Sequence, residues 1–119
     1  MKLFPMLSCA DLDRSLTLYR DLLGGVESYR FESYVGLTIG DSEIGLGGMA
    51  GPPIHGRPQR PATGHRIELC VYVDDVDATY AEAGERGFEQ VVTPADMPWG
   101  ERVAWIADPD GNLLMLARE

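Results

Sequence analysis

The chain has 119 residues, 45% of them hydrophobic, and carries 19 acidic against 10 basic side chains for a formal net charge of −9. That length and apolar fraction suit one compact domain with a core of its own. The acidity argues against nucleic-acid backbones and anionic membranes as partners, because both select a basic footprint. No apolar run reaches the roughly 18 residues that a transmembrane helix needs.

Leu3 to Ala10 read as an extended apolar segment with Pro5 near its start, where a strand tolerates a missing N–H donor. This stretch is too short and too weakly basic for a signal peptide, so the expected location is cytoplasmic. Asp11 stands where a helix N-cap belongs, and Leu12, Leu16, Tyr19 and Leu23 follow at helical spacing. Gly24-Gly25 stops that helix. Val26 to Arg30 and Ser33 to Ile39 alternate as strands do, and Gly40-Asp41 turns the chain into Ile44 to Leu46. The glycines and prolines between Gly47 and Thr63 break any regular element and mark a linker, which carries His55, Arg57 and Arg60. Arg66 to Val73 then read as a strand, Asp75 as a second N-cap, and Val76, Tyr80 and Ala83 as an inner helix face that Gly87 ends. Phe88 to Thr93 and Glu101 to Ala107 are strand candidates. Asp108-Pro109-Asp110-Gly111-Asn112 is a turn, and Leu113 to Ala117 close the sheet. Cys9 and Cys70 each sit inside an apolar run and read as buried free thiols.

The strand ending in Asp11-Leu12-Asp13 and the strand ending in Asp75-Val76-Asp77 are the same unit at an offset of 75 − 11 = 64 residues. The chain is therefore expected to be an α+β fold of two tandem βαβββ modules. Module one spans about 1–48, the linker about 47–63 and module two about 64–119, all within a single domain of 1–119.

The Asp-Leu-x-x-Ser-Leu-x-x-Tyr pattern of Asp11 to Tyr19 resembles the first module of the vicinal oxygen chelate superfamily. Trp99-Gly100-Glu101-Arg102 followed by Asp108-Pro109-Asp110-Gly111-Asn112 resembles the ending of its second module. The superfamily includes glyoxalase I, extradiol dioxygenases and bleomycin-resistance proteins. The resemblance covers nearly the whole chain. It implies an open eight-stranded cup with two flanking helices and a central site, but no single chemistry, because the fold hosts several. In its metalloenzymes, inward His, Gln or Glu side chains from the first and last strands of each module hold a divalent ion.

Matched onto this chain, those inward positions are Phe4 and Glu68, seven residues before each capping Asp, then Met115 and, with looser alignment, Leu46. One carboxylate and one thioether among two hydrocarbons make a poor site for such ions. The resemblance therefore carries no metal and no cofactor to this chain. His65 lies three residues before Glu68 and would point to the other face of a strand. No catalytic triad, nucleophile elbow or phosphate loop is present.

What remains is a greasy aromatic pocket with few polar groups, the makeup of a small-molecule site. Its expected ligand-binding residues are Phe4, Tyr34, Leu46, Glu68, Trp99, Arg102 and Met115, with Trp99 at a loop edge able to stack on a planar ligand. Ala62 to Arg66 and Phe4-Pro5-Met6-Leu7 resemble the antibiotic-sequestering members of the family, in which a Pro near the first strand accompanies exchange of N-terminal arms. The favoured expectation is a metal-free homodimer, possible arm exchange included, that binds a hydrophobic or planar antibiotic-like molecule. The alternatives are a metal-dependent glyoxalase-like lyase, isomerase or dioxygenase, and a cofactor-free enzyme with Glu68 as base.

Overall fold

A computed structural model of the chain describes residues 1–48, 55–57, 64–65 and 67–118. The chain separates into two compact units, Met1–Pro61 and Ala62–Glu119. The first contains β1 (Met6–Cys9), α1 (Leu12–Leu16), β2 (Val26–Phe31), β3 (Tyr34–Ile39) and β4 (Ser42–Gly48). The second contains β5 (Glu68–Tyr72), α2 (Val76–Glu85), β6 (Glu89–Asp96), β7 (Arg102–Ala107) and β8 (Leu113–Arg118). Each unit forms one four-stranded sheet, in the orders β1-β4-β3-β2 and β5-β8-β7-β6. In both, the first strand joins the last in parallel and the other neighbours are antiparallel. This is the α+β architecture of two βαβββ modules that the repeat implies.

The two helix starts are chemically identical. Asp11 accepts the Arg14 N–H at 3.0 Å and Asp75 accepts the Ala78 N–H at 3.0 Å, each from an extended backbone. Each carboxylate thus satisfies an orphan donor of the first turn. The helix ends match as well, with Gly24 and Gly87 in the left-handed region at φ 77° and 82°.

Between start and end the first helix differs from a uniform 3.6-residue spiral. Thr17–Leu22 is π-helical, and the Leu23 N–H reaches back five residues to the Leu18 carbonyl at 2.9 Å. The widened turn shifts the buried stripe to Leu16, Leu18 and Tyr19, leaving Leu12 and Leu23 half-buried. Periodicity at 3.6 placed those two on the inner face and passed over Leu18.

Strand limits also move. β1 begins at Met6, so Leu3 to Pro5 lie ahead of it. β4 runs through Gly48 because Gly47 stands opposite Tyr34 and the Gly48 N–H bonds the Ser33 carbonyl at 2.7 Å. Gly47 and Gly48 therefore belong to the sheet and not to the linker, whose residues 49–54 and 58–63 (Arg60 among them) lie outside the described residues. β6 extends to Asp96 across Pro94. It is an edge strand with an irregular register between Val92 and Ala95, so the absent proline N–H costs no ladder bond. Cys9 is buried as expected, but Cys70 is exposed, because alternation along β5 turns it away from the helix.

Candidate functional site

Each sheet has one face covered by its own helix and one face without it. In the first unit, a Cβ on Gly25 would meet the Tyr19 carbonyl and the Leu37 and Ile39 side chains, which puts Leu37 on the helix side. Directly opposed residues of a ladder share a face, so Leu7, Val35, Ile44 and Leu46 belong there too. In the second unit Gln90 donates to the Tyr80 carbonyl of α2 at 3.0 Å, which puts Ile106, Leu114 and Leu69 on the helix side. The remaining face of the second sheet carries Glu68, Cys70 and Tyr72 on β5, Met115 on β8 and Trp105 on β7, with Cys70, Met115 and Trp105 in one row.

This register corrects one expected site residue. The capping aspartates make Cys70 the counterpart of Met6, and Cys70 pairs with Met115 whereas Met6 pairs with Gly45. The first-unit counterpart of Met115 is therefore Gly45, not Leu46. A one-residue slip reverses the face. Leu46 is fully buried against Val35 on the helix side and contributes to the core. Gly45 has a specific occupant instead. A Cβ there would lie 2.9 Å from Tyr34 Cζ, so the Tyr34 ring covers the glycine. Tyr34 thus stands on the helix-free face, where its ring centroid is 6.1 Å from that of Tyr29. Phe4 precedes β1 and is partly exposed, with the Lys2 ammonium 5.7 Å from its ring centroid.

Arg102 is the second correction. It sits on the helix side of β7, where Nε and Nη2 donate to the two carboxylate oxygens of Asp77 at 2.6 and 2.7 Å, and Nη1 donates to Asp96 at 3.1 Å. The pair holds the Asp77 carboxyl below its ordinary range and the guanidinium above its own. The arginine clamps the start of α2 to β6 and β7 and does not face Glu68. Spacing alone placed Arg102 beside Trp99 without revealing that successive strand residues diverge.

Trp99 lies in a tight turn closed by Gly100 N–H to the Met97 carbonyl at 3.0 Å, with Gly100 at φ 100°. Trp99 is 60% exposed, and its Nε1–H donates to Glu101 Oε1 at 2.7 Å. The other oxygen of Glu101 accepts the Tyr72 hydroxyl at 2.5 Å, and Tyr72 is 61% exposed. Tyr72 also lines a shallow depression with Val73, Asp74 and Arg118. Sequence reasoning passed over both Tyr72 and Glu101. Tyr72 was readable only as a strand residue, and Glu101 only as a motif letter. Their contact spans 29 positions. Nearby, burial pushes the Cys70 thiol up, and the Glu101 and Glu68 carboxylates push it further.

The fold family suggests a divalent ion held from matched first and last strands. Those positions are Phe4, ahead of β1, and Gly45 in the first unit, and Glu68 and Met115 in the second. The first pair offers no metal donor and the second one carboxylate and one soft thioether, so neither fits a hard or borderline cation. Among the described residues no three His, Cys, Asp or Glu side chains gather as a metal site. His65 is exposed ahead of β5, and His55 accepts the Arg57 N–H at its Nδ1.

Comparison with known proteins agrees with this architecture. The chain is 31% identical over 110 residues to a protein named "Putative glyoxylase CFP32" in Mycobacterium bovis and to its namesake in Mycobacterium tuberculosis. The match takes in 89% of this chain, which spans only 39% of the length of those relatives. A glyoxalase-related enzyme from Fulvimarina pelagi superposes with a TM-score of 0.81 at 16% identity, covering 100% of this chain and 88% of the other. A glyoxalase/bleomycin resistance protein/dioxygenase family enzyme from Burkholderia phytofirmans PsJN gives 0.78 at 19% identity, covering 97% and 95%. At those identities the structures show the fold alone. The family model matches residues 4–116, and with it the chain belongs to the Glyoxalase/Bleomycin resistance protein/Dioxygenase superfamily.

Proposed function

We propose that this chain is a metal-free small-molecule-binding member of its superfamily, of the kind that sequesters a hydrophobic or planar, antibiotic-like ligand. The observation that carries the reading is the donor set. By the family resemblance, the counterparts of the metalloenzymes' ligands are Phe4 and Gly45 in the first unit and Glu68 and Met115 in the second, and neither pair suits a catalytic cation. The helix-free face of the second sheet presents aromatic and soft side chains, Trp105, Met115 and Tyr72, with few polar groups, as binding pockets do. Sequestration requires affinity alone, and a micromolar dissociation constant corresponds to about −8 kcal/mol. We further propose a homodimer, because strand edges and exposed apolar side chains such as Met6, Tyr29 and Phe31 call for cover. Met1 to Pro5, ahead of β1, would be the segment available for arm exchange.

The names of the mycobacterial relatives favour a second reading, a glyoxalase-like enzyme. Metal analysis after purification and after incubation with Zn, Ni, Mn or Fe separates the two. The binding-protein reading expects substoichiometric metal throughout. One tightly held ion per chain would overturn it. Sedimentation equilibrium tests the dimer.

A further inference from the structure

We propose that the Tyr72–Glu101–Trp99 cluster is the ligand-recognition subsite and that it selects an organic cation with a flat or alkylated head, such as a protonated or N-alkylated heteroaromatic ring. The inference rests on the small-molecule reading above and names the class of ligand.

Three features converge on this chemistry. Glu101 is held at both oxygens by aromatic donors, the indole N–H at 2.7 Å and the phenol O–H at 2.5 Å. Each hydrogen bond runs from the polar end of a ring to a carboxylate, which draws electron density back toward the ring face and strengthens its attraction for a cation. Trp99 and Tyr72 remain 60% and 61% exposed while their polar side-chain atoms are already engaged.

The neighbouring carboxylates carry the same sign, against one nearby cation, Arg118. Glu68 stands on the same face two residues from Cys70, and partial desolvation, then Glu101 and Glu68, push the Cys70 thiol up. The neighbouring guanidinium, Arg102, is turned to the helix side and matched by Asp77 and Asp96. Arg118 lies opposite Arg102 in the ladder and shares its depression with Asp74. A neutral planar molecule would gain only stacking here. A cation of the same shape gains stacking together with the field of Glu101 and Glu68.

The test uses a shape-matched pair of probes on the full chain, N-methylquinolinium and the neutral methylnaphthalene, followed through the indole N–H signals of Trp99 and Trp105 by NMR and by calorimetry. The expected result is a shift of the Trp99 signal with the cation and an affinity at least about ten-fold above that of the neutral probe. Glu101→Gln should remove most of that preference, lowering the affinity for the cation far more than that for the neutral probe. If Glu101→Gln does not fold, Trp99→Leu decides, since it removes a ring face and leaves the carboxylate. Equal affinity for the two probes would overturn cation selection and leave the small-molecule reading standing. Binding of either probe that leaves the Trp99 signal unmoved would overturn the subsite. Stoichiometric metal in the analysis above would instead overturn the binding-protein reading, whatever the probes do.

Discussion

The helix-covered faces of the two sheets are nearly interchangeable, and the other two faces are not. Val35, Leu37 and Leu46 in one unit and Ala104, Ile106, Leu114 and Leu116 in the other are all fully buried. On the helix-free face the first sheet has Gly36, Gly45 and Gly47 where the second has Trp105, Met115 and Ala117 at corresponding rungs. The duplicated half therefore kept what folding requires, a closed apolar layer under a capped helix. The other face differs, with glycines covered by Tyr34 in one copy and Trp105 and Met115 beside the buried Val103 and Ala117 in the other. The first sheet's face also carries Met6, Glu43, Tyr29 and Phe31, whereas beside the second the Glu101 carboxylate is shared between Tyr72 and Trp99.

The sharpest way to break this contrast is at the adjacent pair Gly45 and Leu46. Leu46→Ala should cost about 2–5 kcal/mol, the range for a buried leucine that leaves a cavity, with ligand affinity of the folded protein unchanged. Denaturant unfolding alongside ligand titration measures both. A small stability loss with a large affinity loss would return Leu46 to the binding surface. Gly45→Ala should cost less, about 1–3 kcal/mol, because the new methyl must displace the Tyr34 ring rather than empty a core site. Combining it with Tyr34→Ala should recover most of that loss, and a failure to do so would mean that Tyr34 is not what Gly45 accommodates.

The same pair shows how far sequence patterning reaches. Both aspartate caps, the strand–helix order and the hairpin turns were readable, because each depends on residues a few positions apart. The face of Leu46 was not. It depends on whether Met6 pairs with Gly45 or with Leu46, and this register is set across nearly forty residues by the packing of the whole layer. The π-helical turn at Thr17–Leu22 escaped for a similar reason, since one inserted residue changes the phase of a short apolar stripe without changing its composition. Glu101 was out of reach altogether. Its role exists only where Tyr72 and Trp99 meet it.

The helices themselves sharpen the comparison at smaller cost. Ser15 is fully buried in α1, and its hydroxyl is an unpartnered polar atom, a desolvated group with nothing gained in exchange. Ser15→Ala should therefore stabilise the protein by about 1 kcal/mol, combining removal of that group with better helix propensity. Thermal and denaturant melts check it, and a loss of stability would mean that the hydroxyl is bonded in solution.

The smallest effect concerns the charge clusters that tie helix to sheet, which are built differently in the two halves. In the first, Glu27 of β2 receives Arg20 at 3.0 Å together with Arg30, and Arg20 also holds Asp21 at 2.8 Å, two acids alternating with two bases. In the second, Arg102 stands between Asp77 and Asp96, one base between two acids. All are solvent-exposed, so each contributes modestly and is weakened by salt. Arg30, then Arg20, holds the Glu27 carboxyl below its usual range, as Arg102 does for Asp77. A folded-state depression gives stability that is present above the ordinary carboxylate range and lost as pH falls through the lowered folded value. The stability difference between the parent and Arg102→Ala should therefore be greatest near neutrality and shrink below about pH 4 as Asp77 protonates. It should also shrink in high salt. A difference that persists unchanged in acid would assign Arg102 to packing of its aliphatic stem and leave the first unit's Glu27 as the only helix–sheet clamp of the two that works through charge.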